Sequence, residues 1–255
     1  MSCRGRMIVL ILIGVSAIVA MLFVDPIAQD PAYHNFADQR PIFGIANFAD
    51  VISNAGFLFA GMIGLIAVLK GRSGALFDER ADAIPYVVFF AGVLVVGAGS
   101  AYYHDAPTNA RLFWDRLPMT VGFMGLTAAL VADRINCQIG ITIVLPMLVV
   151  AGVLSLFYWE YTEQLGRGDL RFYALVQFLP IVLIPIICGL FPVARYTGKG
   201  GLAAVVFWYL AAKILEYFDP QVFALLGQTI SGHSLKHLAA AMACIMVLRM
   251  LKRQV

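Results

Sequence analysis

Apolar residues run along this chain in eight long blocks, at 7–24, 47–69, 84–104, 115–132, 137–158, 172–193, 201–218 and 233–250. Each approaches the ~20 residues that an α-helix needs to cross the hydrocarbon core of a bilayer. The connections between them are short, and neither an internal repeat nor a low-complexity linker interrupts the series. Pro146, Pro180 and Pro185 fall inside blocks, which membrane helices tolerate because neighbouring helices re-satisfy the freed backbone groups. The pattern predicts an all-α, multi-pass transmembrane helix bundle. The first block follows Arg4 and Arg6, as a signal peptide would, but its 18 uncharged residues exceed a usual signal core. Phe23-Val24-Asp25 is also a poor cleavage site, so a retained helix is expected.

Composition agrees. Hydrophobic residues make up 61% of the 255 and charged residues only 13%, against about 25% charged in a soluble domain. The net charge of +3 comes without a basic stripe interleaved with aromatics, which argues against nucleic acid as a partner. Cys3 is at the N-terminus, Cys137, Cys188 and Cys244 lie in or beside apolar blocks, and none forms a C-x-x-C pair. They read as small packing residues. Placing the N-terminus inside puts eleven cations on the inner side: Arg4, Arg6, Lys70, Arg72, Arg80, Arg134, Arg195, Lys199, Arg249, Lys252 and Arg253. Five fall outside, Arg40, Arg111, Arg116, Arg167 and Arg171. The positive-inside rule therefore predicts that both termini are cytoplasmic.

Five polar residues stand out against this background. Ser100 and His104 are spaced i, i+4, as are His233 and His237, and Asp115 opens the fourth block. Residues four apart lie on one face of a helix. The alternation of spans brings all five to the outer end, at one depth. Ionisable groups are costly in a membrane and mark function by default. Three imidazoles suit a catalytic Zn²⁺, which keeps three protein ligands and one open position and lowers the pKa of water to about 7. His104, His233 and His237 would be the ligands, Asp115 the general base, and Ser100 a hydroxyl that orients water or steadies an oxyanion. The bland readings are interfacial histidines, an Asp115 that interacts with its helix dipole and a Ser100 that packs among Gly97, Ala98, Gly99 and Ala101. A bis-histidine haem is the competing cofactor, and it leaves Asp115 and Ser100 without a role.

Other polar residues fall inside the blocks. Lys213 and Glu216 suit an i, i+3 ion pair or a cavity lining. Asn54 is expected to bond across to a neighbouring helix, and Asp50 to orient a histidine by accepting its second N–H. Trp114, Tyr102 and Tyr103 fit an interfacial aromatic belt.

At these positions the chain resembles the alkaline ceramidase family, within the wider superfamily that includes adiponectin-receptor-like membrane proteins. The matching stretches are Asn47-Phe48-Ala49-Asp50-Val51-Ile52-Ser53-Asn54, Gly97-Ala98-Gly99-Ser100-Ala101-Tyr102-Tyr103-His104, Trp114-Asp115-Arg116-Leu117-Pro118-Met119 and Gly232-His233-Ser234-Leu235-Lys236-His237. The short loops and the Tyr-Tyr-His form resemble bacterial members, which implies a plasma-membrane protein; the charge asymmetry would turn its active site toward the outer face. The resemblance implies a seven-helix bundle over 31–255, with 1–30 as an additional N-terminal helix and flank. It implies a zinc amidase that splits ceramide-type lipids into a fatty acid and a sphingoid base, with His104, His233 and His237 on the metal and Asp115 and Ser100 beside the water. Eukaryotic members carry an acidic N-terminal calcium site; here Asn47 precedes Phe48, and Asp30, Asp38 and Asp50 are scattered, so calcium is not expected. A bacterial chain need not meet ceramide, and another N-acyl lipid is the other expected substrate. A receptor or regulator that keeps the site without turnover is the alternative function.

Overall fold

The structure, a computed structural model, describes residues 2–71 and 76–252; Arg72 and Arg253 of the expected inner set lie outside them. A helix forms over each of the eight blocks. They are α1 (Cys3–Leu22), the pair α2 (Phe48–Ser53) and α3 (Ala55–Gly71), α4 (Ile84–Asp105), α5 (Asn109–Arg134), the short α6 (Cys137–Ile139) leading into α7 (Leu145–Gln164), α8 (Arg171–Leu190), α9 (Lys199–Tyr217), the short α10 (Asp219–Leu225) and α11 (Gly232–Lys252). Among the described residues there is no strand, only an isolated bridge between Ile42 and Ile45. The fold is an all-α bundle, and among the described residues seven helical stretches are long and apolar enough to cross a membrane. The block at 115–132 lies in α5, which is 26 residues long, carries Asp115, Arg116, Asp133 and Arg134, and is not among the seven.

Helix α1 is peripheral: none of its residues is buried. It lies along α8 and is tied to the rest at both ends. Arg6 donates to the carbonyl of Leu190 at 2.8 Å, and Arg171 donates to the carbonyls of Met21 and Val24. The remaining helices bury their shared faces.

Helix α5 is the centre of the bundle and packs closely on α4, because glycines line the seam. A Cβ added at Gly99 would stand 2.3 Å from the carbonyl oxygen of Trp114, and one at Gly92 would stand 2.9 Å from the nitrogen of Gly122. Small residues permit this backbone approach in membrane helices. The consequence is functional, since Gly99 precedes Ser100 and Trp114 precedes Asp115. At the opposite end, Asp82 gathers Tyr196, Arg195 and Cys137, whose thiol donates at 2.9 Å, and Arg134 donates to Phe191 and Thr197. Cys137 is thus a hydrogen-bond donor, where only packing was expected of it.

Candidate metal centre

His104 sits in the last turn of α4, and His233 and His237 in the first two turns of α11. Two devices fix where α11 begins. Ser231 accepts the backbone N–H of Ser234 at 2.9 Å, a helix N-cap, and Asp219 of α10 accepts the N–H of His233 at 2.8 Å. The three imidazoles are buried, and their ligand nitrogens all lie within 4.8 Å of one another. Nε2 of His104 faces Nε2 of His233 at 3.4 Å. The i, i+4 spacing therefore does what it predicts, and the third imidazole joins from a distant helix.

The hydrogen-bond partners of His237 favour a cation at the cluster. Ser53 donates to the carbonyl of Asp50 at 3.0 Å, so its oxygen is free to accept from Nδ1 of His237, 2.7 Å away. That assigns the proton to Nδ1 and leaves a lone pair on Nε2. This Nε2 is buried and has no hydrogen-bond partner. Buried polar atoms without partners are rare and call for an explanation, and a metal ion accepting that lone pair supplies one. Three neutral imidazoles without an interposed carboxylate are a donor set that suits a first-row divalent metal. Lys236 competes for the same chemistry: its ammonium donates to Nε2 of His233 at 2.8 Å and to Glu216 at 3.2 Å. A metal ion on His233 takes the lone pair that Lys236 uses, and leaves Lys236 to Glu216.

Asp115 and Ser100 face each other across the α4–α5 seam and line the same cavity. Glu216 is the anchor of a wider network. It pairs with Lys213 and Lys236 and accepts the hydroxyl of Tyr33 at 3.1 Å. The i, i+3 pair foreseen for Lys213 and Glu216 is present, and both residues also line a cavity.

That cavity has a volume of about 270 Å³ and lies between α4, α5, α8, α9 and α11. Its polar end carries Ser100, Asp115, Arg116, Lys213, Glu216 and His237. From there it runs past Phe89, Leu126, Leu130, Ile184 and Val205. A polar end joined to an apolar bore is the shape of a site for an acyl chain with a polar head.

The segment 23–47 closes the other side of the histidines as a strap. The Phe36 ring packs 4.6 Å from His104 and 4.6 Å from His233, centroid to centroid. His34 bridges the Tyr103 hydroxyl and Asn109, each at 2.9 Å. The N–H of Ala37 bonds Asp219 at 2.9 Å, and the Asn47 amide holds the carbonyl of His104 at 2.8 Å. Arg40 ties the strap to the carbonyl of Thr229 at 2.9 Å, and its guanidinium hydrogen-bonds Asp38, whose carboxyl is thereby held below the usual range.

All five expected residues assemble at one end of the bundle, but their supporting partners differ from those expected. The Asp50 carboxylate does not orient a histidine; it accepts from Ser231 and Ser234 at 3.1 and 2.6 Å. Asp50 is placed one turn ahead of Ser53, and the serine reaches His237 first. Asn54 does not bond across to another helix. It sits at the break between α2 and α3, and its amide turns back to the carbonyl of Asp50 at 2.8 Å. Tyr103 is buried under the strap, unlike the exposed Tyr102 and Trp114, so it does not belong to an interfacial belt. Phe36, Ser53, Asp219 and Lys236 were not assigned to the site from sequence. Only Lys236, a cation between two suspected ligands, carried a signal that pointed there. No family model, curated protein or solved structure matches the chain.

Proposed function

We propose that this protein is a zinc-dependent membrane amidohydrolase that cleaves a ceramide-type or other N-acyl lipid into a fatty acid and an amine. The observation that carries the reading is the placement of three buried imidazoles, with ligand nitrogens within 4.8 Å, beside a Ser100–Asp115 pair at the polar end of an apolar cavity. Zn²⁺ held by His104, His233 and His237 would supply Lewis acidity to an amide carbonyl and to water. Asp115 is the group positioned to take a proton from the attacking water and to deliver it to the leaving amine. Ser100 lies beside Asp115, and once Asp115 has taken the proton of the attacking water the single hydroxyl proton of Ser100 is available to the developing oxyanion. The cavity receives the acyl chain, and the strap with Phe36 keeps bulk water from the histidines. The resemblance to alkaline ceramidases supports the same residues in the same roles. Charge asymmetry supports a plasma-membrane setting of bacterial type, with cytoplasmic termini and the site toward the outer face.

The test combines metal analysis with fatty-acid release from a panel of ceramides and other N-acyl lipids. The expected result is one zinc per chain, lost in His104→Ala, and release that falls by roughly 10²–10⁴-fold in Asp115→Asn. Well-folded protein without zinc would sink the reading. The contact of Lys236 with His233 favours a second reading, a receptor or regulator in which the ammonium fills the metal's place. Protein that binds N-acyl lipid but neither holds zinc nor releases fatty acid would select it. The three imidazoles converge on one point, and Phe36 packs at a tilt against two of them, an arrangement that suits a small ion and disfavours a flat macrocycle such as haem.

A further inference from the structure

Arg116 is a buried guanidinium whose surroundings satisfy its faces and not its edge. Tyr33, Trp159 and Tyr173 lie with their ring centroids 5.4, 4.9 and 5.0 Å from its central carbon. Such rings stabilise a buried cation through their π-faces, and the weakly hydrated guanidinium tolerates the site. They offer no acceptor in the plane, where the N–H groups point. Nη1 of Arg116 is buried without a hydrogen-bond partner, and an N–H left in that state is costly. Arg116 lines the cavity at its polar end, beside Asp115. Charge adds a second, independent observation. The cavity is lined by three cations, Arg116, Lys213 and Lys236, against two carboxylates, Asp115 and Glu216. Glu216 is already engaged by both lysines, which leaves the arginine as the cation without a hydrogen-bonded counterion.

We propose that Arg116 is an anion site that holds the carboxylate of an amphiphile whose acyl chain fills the cavity. A guanidinium edge accepts a carboxylate in two parallel hydrogen bonds. With both lysines on Glu216, one guanidinium edge is left for the ligand, and the planar fork of a carboxylate matches it in shape. The carboxylate has two chemical sources, the amine half of an N-acyl amino acid or a free fatty acid. The proposal narrows the lipid class of the cavity and rests on the amidase reading only for turnover. In the N-acyl amino acid case, Arg116 positions the amine half while the amide lies toward Asp115.

The test is equilibrium binding to the full chain in nanodiscs, by calorimetry, of dodecanoate, N-dodecanoylglycine, dodecanol and dodecyl phosphate. A carboxylate is expected to bind about 10-fold tighter than dodecanol, the scale of a charge-assisted hydrogen bond. Arg116→Gln should abolish that preference and leave dodecanol unchanged, while Arg116→Lys, which keeps the charge and loses the fork, should retain part of it. Tighter binding of N-dodecanoylglycine assigns the site to the amine half of a substrate; tighter binding of dodecanoate assigns it to the released acid. Equal affinity for carboxylate and alcohol in the wild-type chain would overturn the proposal, even if a variant fails to fold. A preference for dodecyl phosphate would overturn it too. His104→Ala protein should keep the carboxylate preference. Failure of the amidase reading therefore shows as absent hydrolysis with the preference intact, and failure of this proposal as an absent preference whatever the hydrolysis.

Discussion

The hydroxyl of Ser53 lies 2.7 Å from Nδ1 of His237, although 184 positions separate the two in the chain. Because Ser53 donates onward to the carbonyl of Asp50, it accepts the imidazole proton and turns the Nε2 lone pair toward the other two histidines. Outer-shell partners of metal ligands typically contribute 10–100-fold to metal affinity. Ser53→Ala is therefore expected to weaken zinc binding by roughly 10-fold, read by competition with a chelator of known affinity. Unchanged affinity would show that another group orients His237.

Lys236 acts in the opposite direction. Its ammonium donates to the Nε2 lone pair of His233 at 2.8 Å, and a cation a few ångströms from a metal repels it. Lys236→Met should raise zinc affinity on the order of 10-fold, the scale of a like charge at such a distance. Titration of both proteins with zinc at neutral pH checks the sign, and weaker binding in the variant would show that Lys236 supports the site.

Phe36 covers two imidazoles, with its ring 4.6 Å from each. Truncating a buried phenylalanine costs about 3 kcal/mol or more. Phe36→Ala should lower the thermal midpoint, and hydrogen exchange should rise in the strap at 23–47. Reaction of the histidines with diethylpyrocarbonate should become faster. Unaltered reaction would mean that the strap does not shield the site.

The strap also has an acid limit. The Asp38 carboxyl is buried and is held below its usual 3.8 by hydrogen bonds from Arg40. A group depressed on folding contributes stability that is full above the unfolded pKa and is lost as pH falls through the folded one. Strap protection is therefore expected to hold down to pH 3.8 and to fade below it. Arg40→Gln should weaken protection at neutral pH and flatten the acid dependence. Hydrogen exchange of 36–47 across this range is the measurement, and identical profiles for both proteins would remove Asp38 from the account.

The amino-acid sequence by itself determined the helices and the spacing of five polar residues along them. Apolar blocks of membrane length must become helices, because an unpaired backbone is too costly in hydrocarbon. A spacing of four commits His233 and His237, and likewise Ser100 and His104, to one face of one helix. These are local relations, carried within five or six residues of chain. Tertiary structure decided everything that depends on which helix face meets which. It seated Phe36 over the imidazoles, gave Ser53 rather than the Asp50 carboxylate to His237, and turned Asn54 back on its own helix. It also set three aromatic rings from distant segments around Arg116. The physical reason is that such contacts follow from helix rotation and backbone approach, as at the Gly99–Trp114 seam, and neither quantity is encoded in the spacing of residues along one helix.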